Sequence, residues 1–249
     1  MAKYARFASN GVTSYGLVEG AEIHELQGGL FDPPITTGRT FPLAAVRLLV
    51  PHLPSKILAV GLNYKSHLGT RTAPSNPEIF YKPLSCLQNP GGPICIPEGA
   101  GAPHFEGELV IVIGKTARSV TAADADQYVF GVTCGNDVSE RSWQANDRQW
   151  WRAKGCDTFG PAGPFIATGL NYGDLLLQTR VNGVLAQSQR TSDLLFDVPT
   201  VIAFITRHVT LEAGDLIFTG TPGNTSGLKS GDVVEVEIEG IGILRNPVA

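Results

Sequence analysis

The sequence predicts a mostly β fold with few helices, near the border between all-β and α+β. Three observations carry that reading. Short runs rich in branched and aromatic residues recur between turn signals, in a chain with 29 glycines and 17 prolines. The dipeptide Asn182-Gly183 separates two strand-like flanks, the pattern of a two-residue hairpin. Segments with helical spacing of apolar residues are scarce by comparison.

From the start of the chain, residues 4–7, 14–18 and 22–26 read as a small β meander. A Pro/Gly-rich stretch over 31–40 leads into a short helix over 43–49. The prolines between 51 and 54 mark a boundary. This divides the chain into a small N-terminal domain, 1–54, and a larger one, 55–249. The larger unit opens with a strand over 56–60, followed by strands over 79–81, 106–114, 128–136, 165–168 and 177–181. Strands over 216–219, 233–238 and 241–244 complete the set. One helix is expected over 122–127, with Thr121 as its N-cap, and another over 197–207, with Pro199 near its start where proline is tolerated.

Composition narrows the function classes. The 249 residues allow one large domain, or one with a small appendage. Apolar residues at 43% and charged residues at 17% are a globular balance. A net charge of −4 without a basic block argues against nucleic acid as the partner. The longest apolar runs, such as 109–113, are far too short for a bilayer. A strand-like segment follows Met1 directly, so the expectation is a cytoplasmic protein with no membrane partner. None of the four cysteines, Cys86, Cys95, Cys134 and Cys156, forms a Cys-x-x-Cys pair, which disfavours a zinc site or a disulfide framework. Cys134 reads as a small core residue; Cys156, among polar neighbours, would need a histidine partner to act as a nucleophile.

The segment HFEGELVIVIG, 104–114, is the most informative in the chain. It reads as a half-buried strand in which Glu106 and Glu108 point to the same face, and two carboxylates side by side on such a face repel each other and resist desolvation. Two readings are open: an exposed edge with solvated glutamates, or a site for a hard divalent cation, with Mg²⁺ first and Mn²⁺ or Ca²⁺ behind it. Asp137, in CGNDVSER, ends a neighbouring strand and can add a third carboxylate; turn formation and capping of a helix over 142–146 compete for it. Arg141 lies four residues further on.

Other elements add groups of the right kind. In GLNYKSHLG, 61–69, glycines flank a strand-to-loop transition suited to a mobile segment. His67 there is the residue type that exchanges a proton near neutral pH, against the reading of a solvated loop histidine. Tyr64 is either a substrate contact or a packing residue. In WWRAKGCDTFGP, 150–161, Lys154 can balance a carboxylate-rich site or meet an anion, or be an ordinary surface lysine. In FTGTPGNTSG, 218–227, turn chemistry explains most residues, while hydroxyls and amides there can hold a carboxylate.

Together, GLNYKSH, FYKP, FEGELVIVIGK, NDVSERSWQ, RAKGCDTFGP and TGTP closely resemble the fumarylacetoacetate hydrolase superfamily, over nearly all of the chain from residue 56 onward. The resemblance extends to its isomerase, decarboxylase and acylpyruvate-cleaving members. It implies a β-rich roll with a small N-terminal domain, assembled as a homodimer. It also implies a Mg²⁺ or Mn²⁺ site formed by Glu106, Glu108 and Asp137. Lys154 then belongs to the active site, Thr221 binds a substrate carboxylate, and Arg141 and Gln144 lie near the substrate. One departure matters. Many relatives carry His-x-x-Glu on a lid as a water-activating dyad, whereas His67 is followed at that spacing by Thr70. Thr70 accepts no proton near neutral pH.

The family's chemistry is activation of a small 2-oxo acid whose keto and carboxylate oxygens chelate the metal, with an enolate formed by C–C cleavage, decarboxylation or ketonisation. Loss of the dyad glutamate penalises hydrolysis most. The expected activity is therefore isomerisation or decarboxylation of unsaturated 2-oxo or 2-hydroxy diacids, as in aromatic-acid catabolism. Hydrolysis of acylpyruvates or fumarylpyruvate is the close alternative. A non-catalytic oxo-acid-binding relative is the third reading.

Overall fold

The computed structural model describes residues 1–249. Strands β1 (Ala2–Ser9), β2 (Val12–Glu19), β3 (Glu22–Leu26) and β4 (Thr36–Pro42) run antiparallel in sequence order, and β5 (Arg47–Leu48) pairs with β1. Next come β6 (Ile57–Gly61), β7 (Glu78–Lys82), β8 (Leu87–Gln88), β9 (Gly107–Ile113) and β10 (Val129–Asn136). Two short helices, α1 (Arg141–Asn146) and α2 (Trp151–Gly155), precede β11 (Gly160–Thr168), β12 (Leu176–Val181) and β13 (Val184–Arg190). The chain ends with α3 (Val198–Thr206), β14 (Leu216–Phe218), β15 (Val233–Ile238) and β16 (Gly242–Pro247).

These strands make two mixed or antiparallel sheets. The large one runs β4-β3-β2-β1-β11-β10-β9-β14-β6-β7, and the small one β13-β12-β15-β16. Because β1 pairs with β11, the N-terminal meander prolongs the sheet that carries the rest of the fold. The fold is mostly β, as the sequence predicts.

Strand β9 explains why its sequence is an unbroken apolar run. It lies between β10 and β14 in the middle of the large sheet, and every residue from Gly107 to Ile113 is buried. Leu109, Ile111 and Ile113 pack with Leu177 and Val236 of the small sheet and with Val201, Ile202 and Ile205 of α3. Val110 and Val112 face the other way, onto Ile57, Ala59, Leu216 and Phe218. Buried on both faces, β9 holds whatever its N-terminal end carries on a rigid base.

Some local expectations give way to pairing. The helix over 43–49 is a single 3₁₀ turn, Leu43–Ala45, because Arg47 and Leu48 pair with Ala8 and Phe7 of β1. Half of the Pro/Gly-rich stretch becomes β4, whose threonines suit a strand laid along β3. Residues 122–128 form a 3₁₀ helix rather than an α-helix, and Thr121 does not cap its backbone: the hydroxyl donates to the Asp124 carboxylate at 2.7 Å. The cap of α3 is as expected, with the Asp197 carboxylate accepting the Thr200 amide at 2.9 Å. Asn182 (φ 52°) and Gly183 (φ 78°) turn β12 into β13 with both central residues at positive φ. No helix is long and apolar enough to cross a membrane.

Candidate active site

The site begins where β9 and β10 meet at one end. Their antiparallel register sets Glu108 opposite Gly135 and Gly107 opposite Asn136. One step further, the Asp137 amide donates to the Glu106 carbonyl at 2.9 Å, while the Asn136 side chain accepts the Glu106 amide at 2.9 Å. This pairing brings Glu106, Glu108 and Asp137 together, with one carboxylate oxygen from each within 4.8 Å of the others, all three residues buried. Asp137 does not cap the following helix. Glu140 does, accepting the Ser142 amide at 3.1 Å. The residue between the two glutamates lies tight against β12: a Cβ on Gly107 would fall 2.0 Å from the Thr179 hydroxyl, so that side chain would have to move.

Three cations serve two of the three carboxylates. The Lys154 ammonium, on α2, sits between Glu106 (2.6 Å) and Asp137 (2.7 Å). The Arg141 guanidinium, at the start of α1, meets the other oxygen of Glu106 at 2.6 Å. Lys82, at the end of β7 and fully buried, meets the other oxygen of Asp137 at 2.6 Å. Its ammonium also donates to the carbonyls of Lys154 and Phe159. Glu108 has no cation and accepts only the Gly220 amide, at 2.8 Å.

The carboxyl groups respond accordingly. Burial pushes Glu106 upward, but the charges of Lys154 and Arg141 more than offset it and hold the group at about 2. Glu108 is raised well above the usual carboxylate range, by burial first and then by Asp137 and Glu106 beside it. One buried carboxylate is thus left uncompensated within a set of three, all offering oxygen. That donor set suits a hard divalent cation such as Mg²⁺ or Mn²⁺, whose charge would keep Glu108 ionised.

A cavity of about 420 Å³ opens over these groups. Glu106, Glu108, Lys154, Arg141, Gln144, Thr221 and His67 all reach it. Asp137 lies below, within the carboxylate cluster. Tyr64 is not brought in. Its ring is fully buried behind the wall, with a hydroxyl that has no partner.

His67 ends a 3₁₀ turn, Lys65–His67, strapped to the 218–227 loop. The Gly223 amide donates to the Ser66 hydroxyl at 2.9 Å, and His67 Nδ1 lies 2.6 Å from the Gly223 carbonyl. A carbonyl only accepts, so Nδ1 carries the proton, and Nε2 is the nitrogen left to take one. A backbone carbonyl therefore sets the tautomer that a lid glutamate would otherwise set. Thr70 also lines the cavity, as do Glu78 and Trp150.

Several of these groups carry no role in the motif reading. Lys82 lies in FYKP, where a lysine inside a strand-like run, next to proline, is the only sequence hint of its burial. Glu78 precedes the same motif. Arg141 is held by Gln144 (2.7 Å) and by the Thr225 hydroxyl (2.9 Å), which also meets His104 at 2.9 Å. Taken as a whole, the site can hold a dication against an anionic, oxygen-rich ligand, with one imidazole nitrogen free to move a proton.

Comparison with known proteins identifies related sequences and related folds. Residues 56–249 match the family model for the fumarylacetoacetate (FAA) hydrolase C-terminal domain, and residues 2–51 match the Rv2993c-like N-terminal model. Protein Rv2993c of Mycobacterium tuberculosis is 48% identical over 223 residues, covering 88% of this chain and 84% of the relative. The crystal structure of 2-hydroxyhepta-2,4-diene-1,7-dioate isomerase from Mycobacterium marinum superposes with a TM-score of 0.94 at 44% identity, covering 100% of this chain and 98% of the other. The mitochondrial oxaloacetate tautomerase fahd2 of Xenopus laevis is 38% identical over 218 residues, 82% of this chain and 68% of the relative.

Proposed function

The chain belongs to the fumarylacetoacetate hydrolase family, and from that premise we propose that it is a divalent-metal-dependent isomerase of unsaturated 2-oxo or 2-hydroxy acids, acting by proton transfer through an enolate. The observation that carries this reading is the carboxylate trio, in which Glu108 alone lacks a cation, lying under a cavity that also holds a histidine with its Nε2 free. Isomerase and tautomerase names among the relatives support the same class.

When bound by Glu106, Glu108 and Asp137, a divalent cation supplies Lewis acidity to the keto and carboxylate oxygens of the substrate. His67 Nε2 takes a proton from the carbon beside the keto group and returns it to another position. Gln144 and Arg141 stand on the cavity wall as donors to the substrate's oxygens. Lys154 holds Glu106 and Asp137 in place and keeps their charge balanced. Ketonisation needs only this proton movement, and decarboxylation needs the same enolate followed by protonation.

Hydrolysis of an acylpyruvate or fumarylpyruvate is the second reading, and Glu78 favours it. Its position on the wall of the same cavity offers a carboxylate to a water even though Thr70 cannot. The homodimer expected from the family is part of the proposal and rests on that resemblance alone. The test is a panel of 2-oxo acids with Mg²⁺ or Mn²⁺, followed by ultraviolet loss of enol, release of CO₂ and analysis of fragments. Enol loss or CO₂ release that stops with EDTA supports the proposal. Cleavage fragments as the dominant product would favour the hydrolase, and metal-dependent oxalate binding without any turnover would leave only a binding protein.

A further inference from the structure

The hairpin from β12 to β13 belongs to the small sheet and contributes nothing to the cavity wall, yet one of its side chains reaches under the site. Gln187 is buried, facing the same point as its cross-strand neighbour Thr179. Its amide nitrogen donates to the Thr221 hydroxyl at 2.8 Å and to the Pro222 carbonyl at 2.6 Å. Its amide oxygen accepts the Gly107 amide at 3.2 Å. The Thr221 hydroxyl in turn donates to the Gly107 carbonyl at 2.9 Å. One side chain therefore ties the Thr221-Pro222 loop to the residue that lies between the two glutamates.

Resting on the functional reading above, the geometry points to Gln187 as a positioning residue that holds the Thr221 loop in register with the Glu106-Gly107-Glu108 strand, so that substrate and metal ligands keep a fixed spacing. The amide's orientation is dictated, since turning it over would set an N–H against the Gly107 amide and leave two acceptors without a donor. The same network restricts what Thr221 can do. Its single hydroxyl proton is committed to Gly107, and one lone pair to Gln187. Toward the cavity the hydroxyl offers only a second lone pair, which suits a donor such as an enol. A substrate carboxylate has to be met by other donors.

The test uses the full-length protein with Mg²⁺ and oxalate as probes, comparing wild type with Gln187→Glu and Gln187→Met. Gln187→Glu keeps the acceptor for Gly107 and loses both donations to the loop; Gln187→Met keeps length and loses all three bonds. Oxalate Kd at saturating Mg²⁺ is expected to rise about tenfold or more in both, because the loosened loop also carries Thr225, which holds Arg141 on the cavity wall. Mg²⁺ affinity without oxalate should stay within about threefold of wild type in Gln187→Met, because the three carboxylates are untouched and no charge is added. That split is one that general destabilisation would not produce. Unchanged oxalate affinity in either folded variant overturns the role of Gln187. Should neither variant fold, amide exchange in the wild type decides: a Gly107 amide as protected as the middle of β9 supports the clamp, and a rapidly exchanging one overturns it. Wild-type protein that binds Mg²⁺ but no oxalate overturns the functional reading itself, and this inference with it.

Discussion

His67 donates from Nδ1 to the carbonyl of Gly223, 156 residues away in the chain, at 2.6 Å. The bond orients the ring and fixes its tautomer without a carboxylate. A carbonyl gives less support than a carboxylate to an imidazolium that forms during catalysis. Proton shuttling on an acidic carbon survives that difference better than activation of water does.

Thr70→Glu tests this reading directly, since Thr70 shares the cavity with His67. The expected outcome is a selective rise in acylpyruvate cleavage, up to the ~10²–10⁴-fold typical of general acid–base assistance, with little change in ketonisation of an oxaloacetate-like diacid. Wild-type hydrolysis as fast as its other activities would show that another group, with Glu78 a candidate on the wall, already supplies the base.

Glu108→Gln separates metal binding from stability. The substitution removes one charged ligand, so Mg²⁺ affinity should fall by about 100-fold or more, beyond the 10–100-fold typical of a lost supporting group. Without metal the sign reverses, because the variant no longer buries an uncompensated carboxyl beside Asp137 and Glu106. Its Tm in EDTA should equal or exceed that of wild type. Wild-type Tm should climb on adding Mg²⁺ and that of the variant should not. Equal climbs in both would place the ion elsewhere.

Lys82→Met removes one of the two ammonium groups on Asp137 and leaves two carbonyls without their donor. Both charged partners are buried, so the expected loss in urea unfolding is about 3–5 kcal/mol. Asp137→Asn should cost less in the Lys82→Met background than in wild type, because the Lys82–Asp137 bond that it breaks is already gone there. Additive losses from the two substitutions would deny the pairing.

How much of this was legible in the chain depended on whether the physics was local. The run GELVIVI marks β9 as a strand, but its alternation reads as half-buried, and only the pairing with β10 and β14 buries both faces; the pairing of Glu106 with Asp137 follows from two adjacent strands ending together. The hydrogen bonds that finish the site join residues far apart. The Gln187–Thr221 bond spans 34 residues, and the Lys82–Asp137 bond spans 55. Neither leaves a periodic trace. Helices α1 and α2, six and five residues long, are too short to show a 3.6-residue pattern, so the positions of Arg141 and Lys154 were readable only as motif matches. Tyr64 shows the limit of a motif: it belongs to GLNYKSH, yet its ring packs behind the wall.

His52 gives a pH dependence independent of the site. It packs edge-on to Phe31, its Nδ1 meets the Tyr15 hydroxyl at 3.0 Å, and Arg6 and Asp215 are the charges near it. Burial lowers its pKa from 6.5, Arg6 lowers it further, and Asp215 opposes both. A base depressed in the folded state is protonated first in the unfolded chain. Its contribution is therefore present above about pH 6.5 and is lost as the pH falls through the folded value. Urea midpoints measured from neutral pH downward should fall more steeply for wild type than for His52→Gln. Parallel curves would remove His52 from the acid response.

The segment after the His67 turn should close over ligand. Leu68 is buried and the turn before it is strapped to Gly223, whereas residues 69–73 are exposed and hold a single backbone bond, from the Arg71 amide to the Leu68 carbonyl. Gly69, at φ 59°, stands at the junction. A hinge therefore belongs at residues 68–69, with 69–75 as the part that moves and with Thr70 and Arg71 already on the cavity wall. Hydrogen exchange over 69–75 should slow when oxalate and Mg²⁺ are added together, while β9, already buried, should change little. Slowing by Mg²⁺ alone would tie the ordering to the metal rather than to the substrate. Equal exchange with and without ligand would mean that water is excluded by the fixed walls, and that His67 is set by Gly223 alone.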